Sequence, residues 1–184
     1  MPMTAEPHGP FWPLPDNTAF FYSSGRGDQA FEGLSNFARS PFMAPHPLLP
    51  GNPLVEFQTV EHYFNAHKTL DLDDFEWIRT APSPMVAKRR GSRRGENGRH
   101  ITLRDGWEHK VRYQVMLEAL RFKYQLPEFR ELLLSTGDRH LAEDSPRDHE
   151  WGCRDRNGGY TGRNLLGRAL MKVRDELRGR RDPR

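Results

Sequence analysis

The sequence predicts a single α+β domain, predominantly helical, with a few short strands. Three observations carry that expectation. Apolar residues recur at three- and four-residue spacing in the longer uninterrupted segments, the pattern of helices with one buried face. Runs that suit strands are few and short. The chain has 184 residues, 35% hydrophobic and 11% aromatic, enough for one core with little room for a second domain.

Residues 1–16 hold five prolines and no periodicity, so they read as an extended or disordered lead-in. The domain is placed at 17–178, followed by a basic tail at 179–184. Residues 20–22 read as a first short strand. Phe31 to Phe37 mixes aromatic and turn residues and leads to Ser40-Pro41-Phe42. Residues 44–53 contain Pro45, Pro47, Pro50 and Pro53 and are expected to be loop. A second strand is expected at 54–57. Thr59 is a candidate N-cap for a helix over 60–70. Asp71, Asp73 and Asp74 open a short helix at 75–80, stopped by Pro82 and Pro84. Residues 85–90 make a further helical turn before the glycine- and arginine-rich stretch 91–98. The longest helix is expected at 105–124, with Tyr113, Met116 or Leu117, Leu120 and Tyr124 facing the core. Pro127 breaks it, and a helix at 128–135 ends near Gly137. Residues 141–143 suit a short strand. Leu166, Ala169 or Leu170, Val173 and Leu177 define the last amphipathic helix.

Composition removes several classes of function. No apolar run approaches the roughly 20 residues needed to cross a bilayer, and no secretory signal is legible, so a cytoplasmic setting without membrane contact is expected. Cys153 is the only cysteine, which excludes an internal disulfide and a multi-cysteine zinc site. His62 and His67 are spaced wrongly for paired ligation on one helix face, so no metal is expected. There is neither a phosphate-binding G-x-x-x-x-G-K-[ST] loop nor a G-x-S-x-G elbow. Gly158, Gly159 and Gly162 precede a helix and suggest N–H groups open to phosphate. They lack the dinucleotide-binding spacing, and no cofactor is expected. Net charge is +3, with Arg89, Arg90, Arg93, Arg94 and Arg99 clustered. Such a cluster is either solvated or steers an anionic partner.

Two constellations carry chemistry. Glu61, Asn65 and Lys68 stand at i, i+4 and i+7, one line along the helix beside the apolar Val60 and Phe64. This is either a solvated face or a site in which a partly buried lysine becomes nucleophilic. The loop from Glu143 to Gly152 concentrates carboxylates around Trp151. An aromatic platform beside carboxylates suits a heterocycle next to a ribose, with the acids available for proton transfer.

Six ordered segments resemble the YbiA/NADAR family. They are Gly33-Leu34-Ser35-Asn36-Phe37 with Ser40-Pro41-Phe42; Val60-Glu61-His62-Tyr63-Phe64-Asn65-Ala66-His67-Lys68; Trp107 with Lys110 and Met116; Leu133-Leu134-Ser135-Thr136-Gly137-Asp138; Glu143-Asp144-Ser145-Pro146-Arg147-Asp148 with Trp151-Gly152; and Gly162-Arg163-Asn164-Leu165-Leu166-Gly167 through Arg174. The resemblance implies a metal-free, mostly helical α+β fold and hydrolysis of an N-glycosidic bond at ribose C1. Of the substrates it implies, ADP-ribosylated guanine in nucleic acid or a nucleotide comes first, because the arginine cluster at 89–99 favours an anionic polymer. The alternatives are a ribosylamino pyrimidine phosphate of riboflavin synthesis, or binding of NAD or ADP-ribose without chemistry. Matched by position, it implies catalytic roles for Lys68, Glu61 and Asp148. Substrate contacts are implied for Trp151, Asn36, Asn164, Ser35, Phe37 and Gly152. The expected mechanism is attack of neutral Lys68 on C1 to form a Schiff base, with Glu61 or Asp148 moving protons. The variant reaction uses the two carboxylates alone and leaves Lys68 to bind phosphate.

Overall fold

A computed structural model describes residues 14–23, 27–156 and 159–179. Most of the expected lead-in, Gly158 and nearly all of the basic tail lie outside them. The described residues form a helical α+β domain around one core, with three two-stranded sheets, two of which bury side chains in that core.

Strand β1 (Ala19–Phe21) pairs in parallel with β4 (Leu141–Glu143), setting Phe21 opposite Glu143. Strands β2 (Phe42–Pro45) and β3 (Leu54–Phe57) form an antiparallel pair. The loop expected at 44–53 is therefore shorter. Pro45 is tolerated because it closes a strand paired on one side only, where a missing N–H leaves no partner unsatisfied. A second hairpin, β5 (Arg154–Arg156) with β6 (Gly159–Thr161), occupies the segment read as a glycine-rich phosphate loop.

Helix α1 (Val60–Ala66) starts where expected, with Thr59 accepting the His62 N–H at 3.3 Å. It ends four residues early. The chain tightens there into three-residue turns, with the Lys68 N–H donating to the Asn65 carbonyl at 3.2 Å and the Thr69 N–H to the Ala66 carbonyl at 3.4 Å. Asp71 then caps α2 (Leu72–Arg79), and Ser83 caps α3 (Pro84–Arg90). The segment expected to be one helix from 105 begins as a π-helical turn at Trp107–Val111. It becomes α4 at Arg112–Lys123, with Met116, Leu117 and Leu120 buried and Tyr113 only partly so. Helices α5 (Pro127–Ser135) and α6 (Leu165–Leu177) follow, α5 with Pro127 in its first turn.

The core is aromatic at one end. Phe42, Phe57, Tyr63 and Phe122 pack with ring centres 4.9–6.0 Å apart. The first N–H groups of α6 are not open to phosphate. Those of Asn164, Leu165 and Leu166 donate to the carbonyls of Gly152, Glu150 and Trp151 at 2.9–3.1 Å. No helix among the described residues is long and apolar enough to cross a membrane.

Candidate active site

One face of α1, the turn after it, the β4–β5 loop and the segment around Asn36 enclose a cleft of about 240 Å³. A larger hollow of about 620 Å³ opens from it, and the two share Phe37, Lys88, Glu143, Asp148 and Glu150. A third hollow, about 710 Å³, lies against the opposite face of α1 beside Tyr63 and His67 and includes none of the expected site residues.

Lys68 sits just past the end of α1, two residues beyond Ala66. The line of side chains survives because the following turn keeps it close. Lys68 Nζ donates to Asn65 Oδ1 at 2.7 Å and to the Gly91 carbonyl at 3.0 Å, 5.3 Å from the Phe64 ring centre. Asn65 Nδ2 donates to Glu61 Oε1 at 3.0 Å and to the Glu61 carbonyl at 2.8 Å. The amide thus has one orientation, oxygen toward the ammonium and nitrogen toward the carboxylate, and it joins Lys68 to Glu61. Burial lowers the Lys68 ammonium to about 8, and Lys88 adds to that. Glu61, Glu108 and Asp148 oppose the shift without cancelling it. Gly91 must stay small here, since a Cβ would come within 2.6 Å of Asn65 Oδ1.

The opposite wall is organised through the backbone. Asp148 Oδ1 accepts the N–H groups of Glu150 at 3.1 Å and Trp151 at 2.9 Å, an Asx-type turn that aims the indole. Trp151 meets Phe64 edge-on at 5.2 Å. The other oxygen, Oδ2, faces Lys88 Nζ at 3.9 Å. Burial alone would lower Lys88, but Glu61, Asp148 and Glu143 outweigh it and hold this ammonium above its usual value. Glu143 goes the other way. Burial, Asp148 and Glu61 push its carboxyl up to about 8, against the pull of Lys88.

Six of the expected residues line the cleft: Lys68, Glu61, Asp148, Trp151, Asn36 and Phe37. Three stand behind its wall. Ser35 Oγ accepts the Phe37 N–H at 3.2 Å. Gly152 allows the loop to close, because a Cβ there would come within 2.5 Å of Ser145 Cβ. Asn164, buried in a left-handed conformation, donates to the Leu141 carbonyl at 2.8 Å and accepts the Glu143 N–H at 3.2 Å. Sequence reasoning missed Lys88 and Glu143 as site residues. Lys88 is one of three consecutive cations, and only the packing of α3 on α1 brings it, still half exposed, to the mouth of the cleft. Glu143 heads the acid-rich loop and opens one of the resembling segments, but nothing in the sequence sets it apart from the other acids there.

An amine of lowered basicity, several carboxyls and an aromatic wall share one cleft, a set of groups chemically able to attack a carbon and to move protons. The NADAR domain profile matches residues 20–178, and the chain belongs to the NADAR family. It is 39% identical to the N-glycosidase YbiA of Escherichia coli (strain K12) over 166 residues, 89% of this chain and 91% of that protein. It is 33% identical to the chloroplastic riboflavin biosynthesis protein PYRR of Zea mays over 176 residues, 91% of this chain and 26% of that protein. The NMR structure of E. coli YbiA aligns with a TM-score of 0.67 at 40% identity, covering 88% of this chain and 84% of that one. The protein is an N-glycosidic hydrolase with the YbiA-like α+β fold.

Proposed function

We propose that this hydrolase removes ADP-ribose from guanine bases of nucleic acid or nucleotides, with Lys68 as nucleophile. The observation that carries the reading is the pair of joined hollows. Ligand pockets commonly hold about 300–1,000 Å³, and the inner cleft at about 240 Å³ suits a ribose and its scissile bond rather than a whole nucleotide. The outer hollow, with Lys88 and Arg147 in its wall, accommodates the diphosphate and adenosine. Trp151 offers its ring to the base.

In the reaction, the ribose opens and the Lys68 amine adds to C1. The guanine amine departs with a proton, leaving a lysine imine at C1. Water then adds to the imine carbon, and Lys68 is released as ADP-ribose forms. With its ammonium at about 8, roughly a tenth of Lys68 is neutral at pH 7, against about one part in several thousand for an ordinary lysine. Glu61, fixed by Asn65, and Asp148 flank this chemistry.

A second substrate, a ribosylamino pyrimidine phosphate, is favoured by a different observation. The arginine cluster read as a steering surface is largely spent within the molecule. Arg89 and Arg90 pair with Glu96, Arg99 with Asp74, and Arg93 with Glu108. It therefore offers little to a polynucleotide. The deciding experiment follows ADP-ribose release from an ADP-ribosylated guanine oligonucleotide by wild type and Lys68→Ala. Release by wild type alone is expected. Cleavage of the pyrimidine riboside without any release from guanine would overturn the first reading in favour of the second.

A further inference from the structure

We infer that Glu143 is the general acid of this site, the group that delivers a proton to the departing nitrogen, whereas Asp148 positions Trp151. The inference rests on the N-glycosidic reading and names a residue for it.

The two acids differ in how they are held. Asp148 has one oxygen committed to two backbone N–H groups, so its carboxylate is part of the turn that aims the indole. Glu143 is the reverse, with a fixed base and an uncommitted tip. Its N–H donates to Asn164 Oδ1 at 3.2 Å, and its carbonyl accepts from Cys153 at 2.8 Å and Ser145 at 2.9 Å. Its strand is locked against β1. Its carboxyl makes no hydrogen bond or ion pair among the described residues, yet it lines both hollows where they join. A proton carrier needs that combination of rigid mounting and a free oxygen aimed at the ligand.

The charges facing Glu143 are Asp148 from its own loop, Glu61 from α1 and Lys88 from α3. Two carboxylates against one ammonium, added to burial, keep a proton on Glu143 near neutral pH. Neighbouring carboxyls pushed into different protonation states are how one site obtains both an acid and a base. In the step itself, the Glu143 O–H proton passes to the leaving nitrogen as the C1–N bond breaks and Lys68 holds C1 as the imine. The resulting carboxylate then takes a proton from the water that adds to C1, which restores the acid.

The test compares Glu143→Gln with Asp148→Asn on whichever N-riboside the wild type cleaves, and on N-ribosyl anilines whose electron-poor amines depart with little protonation. Glu143→Gln is expected to lose about 10²- to 10⁴-fold on the natural leaving group, to recover much of it on 4-nitroaniline, and to lose the alkaline limb of kcat/KM. The acid limb, set by Lys68, should remain. Asp148→Asn should slow every leaving group alike. Uniform loss in Glu143→Gln, or a surviving alkaline limb, overturns the inference. Absence of release from ADP-ribosylguanine touches only the substrate proposal, because the comparison then runs on the pyrimidine riboside. A carboxyl-carbon NMR titration of the free protein reads the same acid without substrate. A midpoint near 8 is expected for Glu143, and one below about 5, the ordinary carboxyl range, refutes it.

Discussion

The cleft around Lys68 and the core around Lys123 each take a lysine out of water, and burial lowers both ammonium groups, to about 8 and about 7. Their surroundings differ. Lys123 is wholly buried on α4, donating to the Gly33 and Ser35 carbonyls at 2.7 and 2.9 Å beneath the ring of Phe129. It braces the segment that presents Asn36 and lines none of the three hollows described above. Lys68 shares its ammonium between one side-chain oxygen and one carbonyl, with the cleft open before it. A lowered ammonium by itself therefore does not tell the two lysines apart. A shifted lysine marks a reaction centre only when a ligand can reach it and carboxyls stand by to move protons.

The sharpest way to break this comparison is to remove each amine in turn. Lys68→Ala should lower kcat/KM by about 10³-fold or more, as loss of a nucleophile does. Borohydride added during turnover should fix sugar to the wild type and to Lys123→Met but not to Lys68→Ala, as read by intact mass. Labelling of Lys68→Ala would mean that another amine carries the reaction. Next in size is Gly91→Ala. The added methyl must displace Asn65, and with it the Lys68 ammonium, so turnover should fall about 10- to 100-fold while the domain stays folded by circular dichroism.

Lys123→Met should show its effect in stability. The folded value of Lys123 lies below the unfolded one of about 10.4, so the unfolded chain binds more protons between the two. The contribution of this site therefore rises from pH 7 toward pH 10 and is lost as pH falls back. Urea denaturation at pH 7 and pH 9.5 should show the wild type gaining on Lys123→Met at the higher pH, with activity per folded molecule changed less than about 10-fold. Smallest of all is Arg93→Ala. Its pair with Glu108 is exposed on both sides, so stability should move by less than about 0.5 kcal/mol and activity hardly at all.

Local rules made much of this fold legible. Thr59 and Asp71 announce helix starts, Pro127 a helix restart, and the spacing of Leu166, Leu170 and Val173 a buried face. The helical period that sets Glu61 and Lys68 on one line stops before Lys68, and the turn keeps the two linked through Asn65. What escaped was set through space. Pro45 conceals a strand whose partner lies nine to fifteen residues along. Glu96 neutralises two arginines that looked free, and it stands six and seven residues from them. Glu143 joins Asp148 and Lys88 only because a strand, a loop and a helix converge.

The parallel pairing of β1 with β4 joins residues 19–21 to residues 141–143, and Asn164 and Gly167 of the last helical region press on β4 from behind. A Cβ on Gly167 would come within 2.1 Å of the Leu141 carbonyl. The consequence falls on synthesis at the ribosome. Lys68, Glu61 and Asn65 emerge early, but the wall facing them has only β1 behind it until the last helix, α6, has been made. A protein halfway through translation thus carries Glu61, Asn65 and Lys68 without Glu143, Asp148 and Trp151, and the cleft is complete only with the closing helix.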